Sequence, residues 1–522
     1  MRMDKVLIVL TFSMLLGSGL AVAADFGKGF RAYNAGDFKT ALTEWGPLAE
    51  RGNTEAQFLL GMMHKTGEGV PQDDQTAVKW FTLAAVQGDA LAQFSLGVSY
   101  NYGRGAPQNY QTAVKWYTLA AEQELAMAQY NLGAMYDDGK GVSESDTTAA
   151  KWFTLAAEQG FAMAQYSLGV FHVMGTGVPR NYKTAVKWYI KAAKQGQASA
   201  QANLGVMYDL GEGVPQNDRA AVKWYTKSAA QGHALAQNNL GLMYVNGRGV
   251  PQNNITAVKW FTLAAEQGDA LAQFSLGVSY DYGKGVQQND KTAVKWYTLA
   301  AKQGFSEAQY NLGTMYDNGK GVPQNDKTAV KWHTKAAEQG LAIAQTDLAL
   351  MYANGKGVRE NDKVAVKWYT RAAEQGFAKA QYNLGTIYAN GKGAPQSDET
   401  AVKWYTKAAQ QGFVDAQYTL GTLYHNGDDV AANFKAAVKW YTLAAEQGLA
   451  EAQNDLGRMY FNGSGVLTDN RQAYMWWSLA SYNGSKKAGE NKIKLAIHMT
   501  PADISIAQDI SSRCLTSGYT DC

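Results

Sequence analysis

A column of small polar residues recurs through this chain at intervals of 36: Ser95, Asn131, Ser167, Asn203, Asn239, Ser275, Asn311, Asp347, Asn383, Thr419 and Asp455, headed by Leu59. The position just before it often carries a ring, at Phe58, Phe94, Tyr130, Tyr166, Phe274, Tyr310, Tyr382 and Tyr418. An amide side chain both donates and accepts hydrogen bonds. A row of them can therefore pair with successive peptide groups of an extended segment, whatever its sequence. The rings beside them are suited to gripping side chains. This chemistry is recognition. Its candidate residues are Ser95, Asn131, Ser167, Asn203, Asn239, Ser275, Asn311 and Asn383, with Tyr130, Tyr166, Tyr310 and Tyr382. The competing reading is that both columns serve packing or solvation between units.

Other chemistries find little support. The six histidines, His64, His172, His233, His333, His425 and His498, are scattered, and several stand where the repeat has an aromatic residue. A zinc site needs three or four converging ligands, so no metal and no cofactor are expected. The Gly-Lys-Gly loops hint at phosphate binding, but Gly313 to Gly319 has the wrong spacing. Gly321 also stands where a phosphate loop needs Ser or Thr for magnesium. Asp137 and Asp138 are adjacent and point in different directions, so they make no acid–base pair. Three glycosylation triplets start at Asn254, Asn462 and Asn483 and are read as chance matches. The formal net charge of +3 across 522 residues gives no footing for nucleic acid.

The elements that must carry these columns follow from the period. Ala-Gln pairs mark the register, with glutamines at 57, 93, 129, 165, 201, 237, 273, 309, 345, 381, 417 and 453. A fixed period of this length signals stacked repeats. Residues 53–484 hold twelve units, each predicted as two helices. In the first helix, Ala308, Leu312, Met315 and Tyr316 fall at helical spacing. Gly313 returns in this helix in every unit except one, where Ala349 replaces it. Glycine costs roughly 1 kcal/mol relative to alanine in a helix, so close helix approach is the expected reason. Gly319 ends the helix and Pro323 prevents its continuation. Asn325 or Asp326 then caps the second helix. All fourteen tryptophans fall in second-helix positions, which indicates packing.

The ends differ from the middle. Arg2 and Lys5, an apolar stretch too short for a membrane span and Ala21–Ala24 read as a signal peptide over residues 1–24. A periplasmic or secreted location is therefore expected, with no integral membrane segment. Residues 25–52 and 485–522 read as helical caps, since terminal repeats have one face without a neighbour. Cys514 and Cys522 are expected to form a disulfide closing the tail. Thr76–Tyr100 and Thr256–Tyr280 differ only at Val86 and Glu266, which points to a copied block.

The pattern AxAQYxLGxMYxxGxGVPQNxxxAVKWYxxAAxQG resembles the Sel1-like repeat family, relatives of the tetratricopeptide repeats. The resemblance covers essentially the whole mature chain. It implies an all-α fold, a right-handed superhelical α/α solenoid of twelve repeats with helical caps. It also implies a non-enzymatic protein–protein scaffold in which the polar column faces a concave groove and binds a partner protein or peptide. Exported bacterial members commonly act in envelope signalling or host interaction. Some are linked to β-lactam or cell-wall chemistry, so an envelope hydrolase or β-lactam-binding enzyme is the alternative. That chemistry calls for an activated serine such as Ser-x-x-Lys, and no serine here has a lysine three residues on. Departures from the pattern are local: Glu124 and Ala349 for Gly, Asp429 for the second loop Gly, and His64 and His172 for Tyr.

Overall fold

A computed structural model of the chain describes residues 24–427, 431–520 and 522. Residues 1–23, nearly all of the expected signal peptide over 1–24, and Asp429 lie outside the described residues. All regular elements among the described residues are α-helices. They group into two compact units, one up to Gln252 and one from Asn253 to Cys522. The first unit opens with Phe26–Asn34 and Phe38–Glu50 and continues in antiparallel pairs such as Thr54–Thr66 and Asp74–Val86. The second runs from Asn254–Glu266 through Asn470–Tyr482 and closes with Lys486–Ala496 and Pro501–Thr516. In each unit consecutive helices pack side by side, which is the expected α/α solenoid.

The punctuation of each repeat has a local cause. The helix Ser306–Asn318 ends at Gly319, whose φ of 65° is left-handed and free of Cβ penalty in glycine. The next helix starts at Asp326, and the Asn325 side chain accepts from the Thr328 amide. Glu124 takes the place of the glycine that ends the second helix in most repeats, and it holds φ 60°. A non-glycine residue there costs about 1–2 kcal/mol.

Within each unit, the glycine inside a first helix lies under a ring of its partner helix. A Cβ on Gly277 would come within 2.6 Å of the Tyr297 ring, and one on Gly205 within 2.5 Å of Tyr225. His333 occupies the same place over Gly313, and Trp477 does so over Gly457. The close approach is therefore ring against backbone. The second loop glycine has a different task. A Cβ on Gly141 would strike the backbone of Tyr110 and Gln111, at the start of the preceding repeat's second helix.

Each core cluster spans a repeat boundary. Ala113, Tyr117, Ala120 and Ala121 pack with Ala128, Leu132 and Met135 of the following helix, and Trp152 lies against them. Some of the tryptophans are roofed by cations one turn on, with Lys191 4.1 Å from the Trp188 ring centre and Lys407 4.3 Å from that of Trp404. The caps replace this scheme. Trp45 covers Gly29 and donates to the Phe26 carbonyl at 3.3 Å. At the other end Cys514 and Cys522 are joined by a disulfide. There the Asn483 amide donates to the Tyr519 hydroxyl at 2.8 Å.

Candidate functional site

The polar column lies on the first helix of each repeat and is mostly half-buried. Its nearest polar partner is the hydroxyl of a buried tyrosine in the preceding repeat. The Asn203 amide donates to the Tyr189 hydroxyl at 3.2 Å. Asn131, Asn239, Asn311 and Asn383 lie beside the hydroxyls of Tyr117, Tyr225, Tyr297 and Tyr369. Burial pushes the Tyr189 and Tyr369 phenols up to about 12, and the amide beside each works against that rise. These phenols stay protonated at neutral pH and offer a donor. Tyr225 donates to Asp209 at 3.4 Å and Tyr297 to Asp281 at 3.3 Å.

The serines are set differently. Ser95 is buried, and its carbonyl accepts from the Ser99 hydroxyl at 3.0 Å. The Ser275 carbonyl accepts from Ser279 at 2.9 Å. Ser167 faces the Tyr130 hydroxyl across the repeat boundary. At the same offset, the Tyr310 hydroxyl donates to Asp347 at 3.0 Å. The column rings lean on second-helix rings. Tyr130 packs on Phe153 at 5.5 Å, Tyr166 on Tyr189 at 6.1 Å, Tyr310 on His333 at 5.3 Å and Tyr382 on Tyr405 at 5.6 Å. Much of the capacity of both columns is thus used within the chain. What remains is the solvent-facing half of each side chain.

The Ala-Gln pair carries a device that its role as a register mark does not reveal. Gln57 is buried; its amide donates to the Ala49 carbonyl at 2.9 Å and its oxygen accepts from Gln87 at 2.7 Å. Gln129, Gln165 and Gln201 repeat this in the first unit, and Gln309, Gln345, Gln381 and Gln417 in the second. Each such glutamine ties three successive helices. The signal available in sequence was the second glutamine, 30 residues on, in the AAEQG segment.

The loop end has an electrostatic counterpart. Arg248 meets Asp209 at 2.6 Å and Asp218 at 2.7 Å. Lys320 pairs with Asp281 and lies 3.6 Å from Asp290, and Lys356 meets Asp317 at 2.6 Å. These three cations of the Gly-x-Gly loops thus reach back to the preceding repeat, which gives a structural role to residues that suggest a phosphate loop. Among the described residues no group of three or more His, Cys, Asp or Glu side chains is arranged to hold a metal. No described helix is long and apolar enough to cross a membrane.

The Sel1 repeat family model matches twelve consecutive segments, from residues 54–89 to residues 450–485. A protective antigen present in uropathogenic Escherichia coli strains, c5321, is 36% identical over 92% of this chain and 96% of its own, with a TM-score of 0.69. A Sel1 repeat protein from Oxalobacter formigenes is 35% identical over 60% of this chain and 93% of its own, with a TM-score of 0.48. No curated protein matches. With the repeat model covering most of its length, the chain belongs to the Sel1 repeat family.

Proposed function

We propose that this protein is an exported, non-enzymatic scaffold that binds an extended segment of a partner protein along the polar column of its first helices. The observation that carries this reading is the repetition of one partly exposed polar side chain per repeat within each unit, at Asn131, Ser167, Asn203 and Asn239 in the first and at Ser275, Asn311 and Asn383 in the second. Within each unit the stacked repeats set these side chains at a regular interval, which suits a backbone better than a compact ligand. The shared tyrosine contacts fix each amide's orientation and leave its outer face for a partner. Export rests on the leader, and the antigen character of the Escherichia coli relative agrees with a surface or periplasmic setting.

The test uses the mature protein and a partner identified by cross-linking in envelope extract. Changing Asn203, Asn239 and Asn311 together to Ala should weaken partner affinity at least about tenfold by calorimetry, on the scale of several lost hydrogen bonds. Tyr189→Phe serves as the control, since it removes the internal partner and keeps the outward amide. Unaltered affinity in the triple variant would sink the ladder. Turnover of a β-lactam, or covalent labelling by a penicillin probe, would instead favour the hydrolase reading.

A further inference from the structure

The last glutamine clamp of the second unit is covered where the earlier ones are open. Gln303 donates to the Gly268 carbonyl at 2.9 Å and to Gln273 at 2.9 Å, and Gln447 donates to the Gly412 carbonyl at 3.1 Å and to Gln417 at 2.8 Å. A Cβ on Gly268, Gly304, Gly340, Gly376 or Gly412 would meet nothing within 4 Å among the described residues. At the last clamp Asn483 stands in for the glutamine, donating to Gln453 at 2.9 Å and to the Gly448 carbonyl at 3.2 Å. Here a side chain from the end of the chain lies on the glycine. A Cβ on Gly448 would come within 3.2 Å of the Tyr519 ring. The Tyr519 hydroxyl also meets both ends of the Asn483 amide, accepting from its nitrogen at 2.8 Å and donating to its oxygen at 2.9 Å.

Tyr519 reaches this edge through a closed loop. Gly518 and Tyr519 hold φ of 64° and 69°, which turns the chain back, and the Tyr519 amide donates to the Cys514 carbonyl at 2.7 Å. A tyrosine adopts that left-handed backbone at a cost, so its position calls for a restraint. The bond between Cys514 and Cys522, eight residues apart, supplies one. We propose that this disulfide is a redox-sensitive strap: oxidised, it holds Tyr519 on the Gly448–Asn483 edge, and reduced, it frees that edge. The reductant is a dithiol. Its thiolate attacks the sulfur of Cys522, which is only partly buried, whereas Cys514 is fully buried. A mixed disulfide forms as the protein S–S bond breaks, and the electron pair leaves on the Cys514 sulfur, which takes up a proton because burial disfavours its thiolate. The second thiol of the reductant then attacks the mixed disulfide, closes the reductant into a cyclic disulfide and releases Cys522 as a thiol. Two electrons pass from the dithiol to the protein. The strap stands independently of the scaffold reading given above.

The experiment follows amide hydrogen exchange by mass spectrometry in the mature protein, oxidised and after treatment with dithiothreitol, with thiol titration to confirm that both cysteines are free after reduction. Peptides covering residues 446–450 and 481–485 should exchange at least about tenfold faster once the bond is reduced. Peptides covering the clamp at Gln309 and Gln339 should keep their rates. Cys522→Ser should show the released pattern without reductant and should not respond to it. Tyr519→Ala should open the edge in the oxidised protein while thiol titration still finds the bond intact, which separates the ring from the disulfide as the cover. Unchanged exchange at both edge peptides in the reduced protein and in Cys522→Ser overturns the proposal. Faster exchange throughout the second unit on reduction also overturns it, since the bond would then be a staple of the whole fold and not a strap over one edge.

Discussion

The two ends of each repeat are built on different principles. At one end a buried glutamine links three helices through neutral hydrogen bonds, and Gln57, Gln165, Gln309 and Gln417 do so with nearly the same distances. At the other end the contacts are ionic, half-exposed and variable: Asp209 with Arg248, Lys320 with Asp281, Lys356 with Asp317. A buried amide has few replacements that satisfy both its donor and its acceptor, so the clamp end does not drift. A surface ion pair contributes little and can be exchanged without loss of fold. Architecture is therefore concentrated at the clamp end, and room for individual repeats to differ lies at the loop end.

The largest effect should fall on the clamp. Gln309→Ala strands the Ala301 carbonyl and the Gln339 amide, at a cost of about 2 kcal/mol in urea unfolding. A loss no greater than that of a surface substitution would remove the distinction between the two ends. Next comes a gain. Glu124→Gly relieves a left-handed backbone and should stabilise by about 1 kcal/mol, read as a rise in Tm. Lys320→Gln, at the loop end, should cost under about 1 kcal/mol, and the cost should shrink further in high salt. A loss as large as that of Gln309→Ala would invert the comparison.

The smallest effect at neutral pH concerns His333, which is 2% exposed. Burial pushes its pKa below the ordinary value, Lys356 adds to that, and Asp347 and Asp317 oppose it. The unfolded chain binds this proton more readily than the folded one. Stability from this site is therefore complete above about pH 6.5, the unfolded value, and declines as pH falls below it. His333→Tyr, which restores the ring found at most equivalent positions, should flatten that part of the pH profile of unfolding. An unchanged profile would mean that His333 carries no such linkage.

Much of this molecule was legible before any coordinate. The period, the helix pairs, Gly319 as a helix end, a cap at Asn325 or Asp326 and Thr500 leading the last helix all follow from local rules, because caps and breakers act over a few residues; the structure settles the cap on Asn325. Glycine at 277 and 313 was legible as a close approach, though not as a ring stacked on backbone.

The candidate site was legible only as a pattern. Periodicity picks out Asn203 and Asn311, but it cannot show that Tyr189 and Tyr297 stand behind them, because that contact joins neighbouring repeats. The Gln57–Gln87 clamp and the Arg248–Asp209 pair escaped for the same reason. The sequence by itself determined the repeat, its helices and their ends, all set by interactions within one unit. Only the tertiary structure decided which polar groups are consumed between units and which are left over, since partners 14 to 39 residues apart become neighbours only when repeats stack.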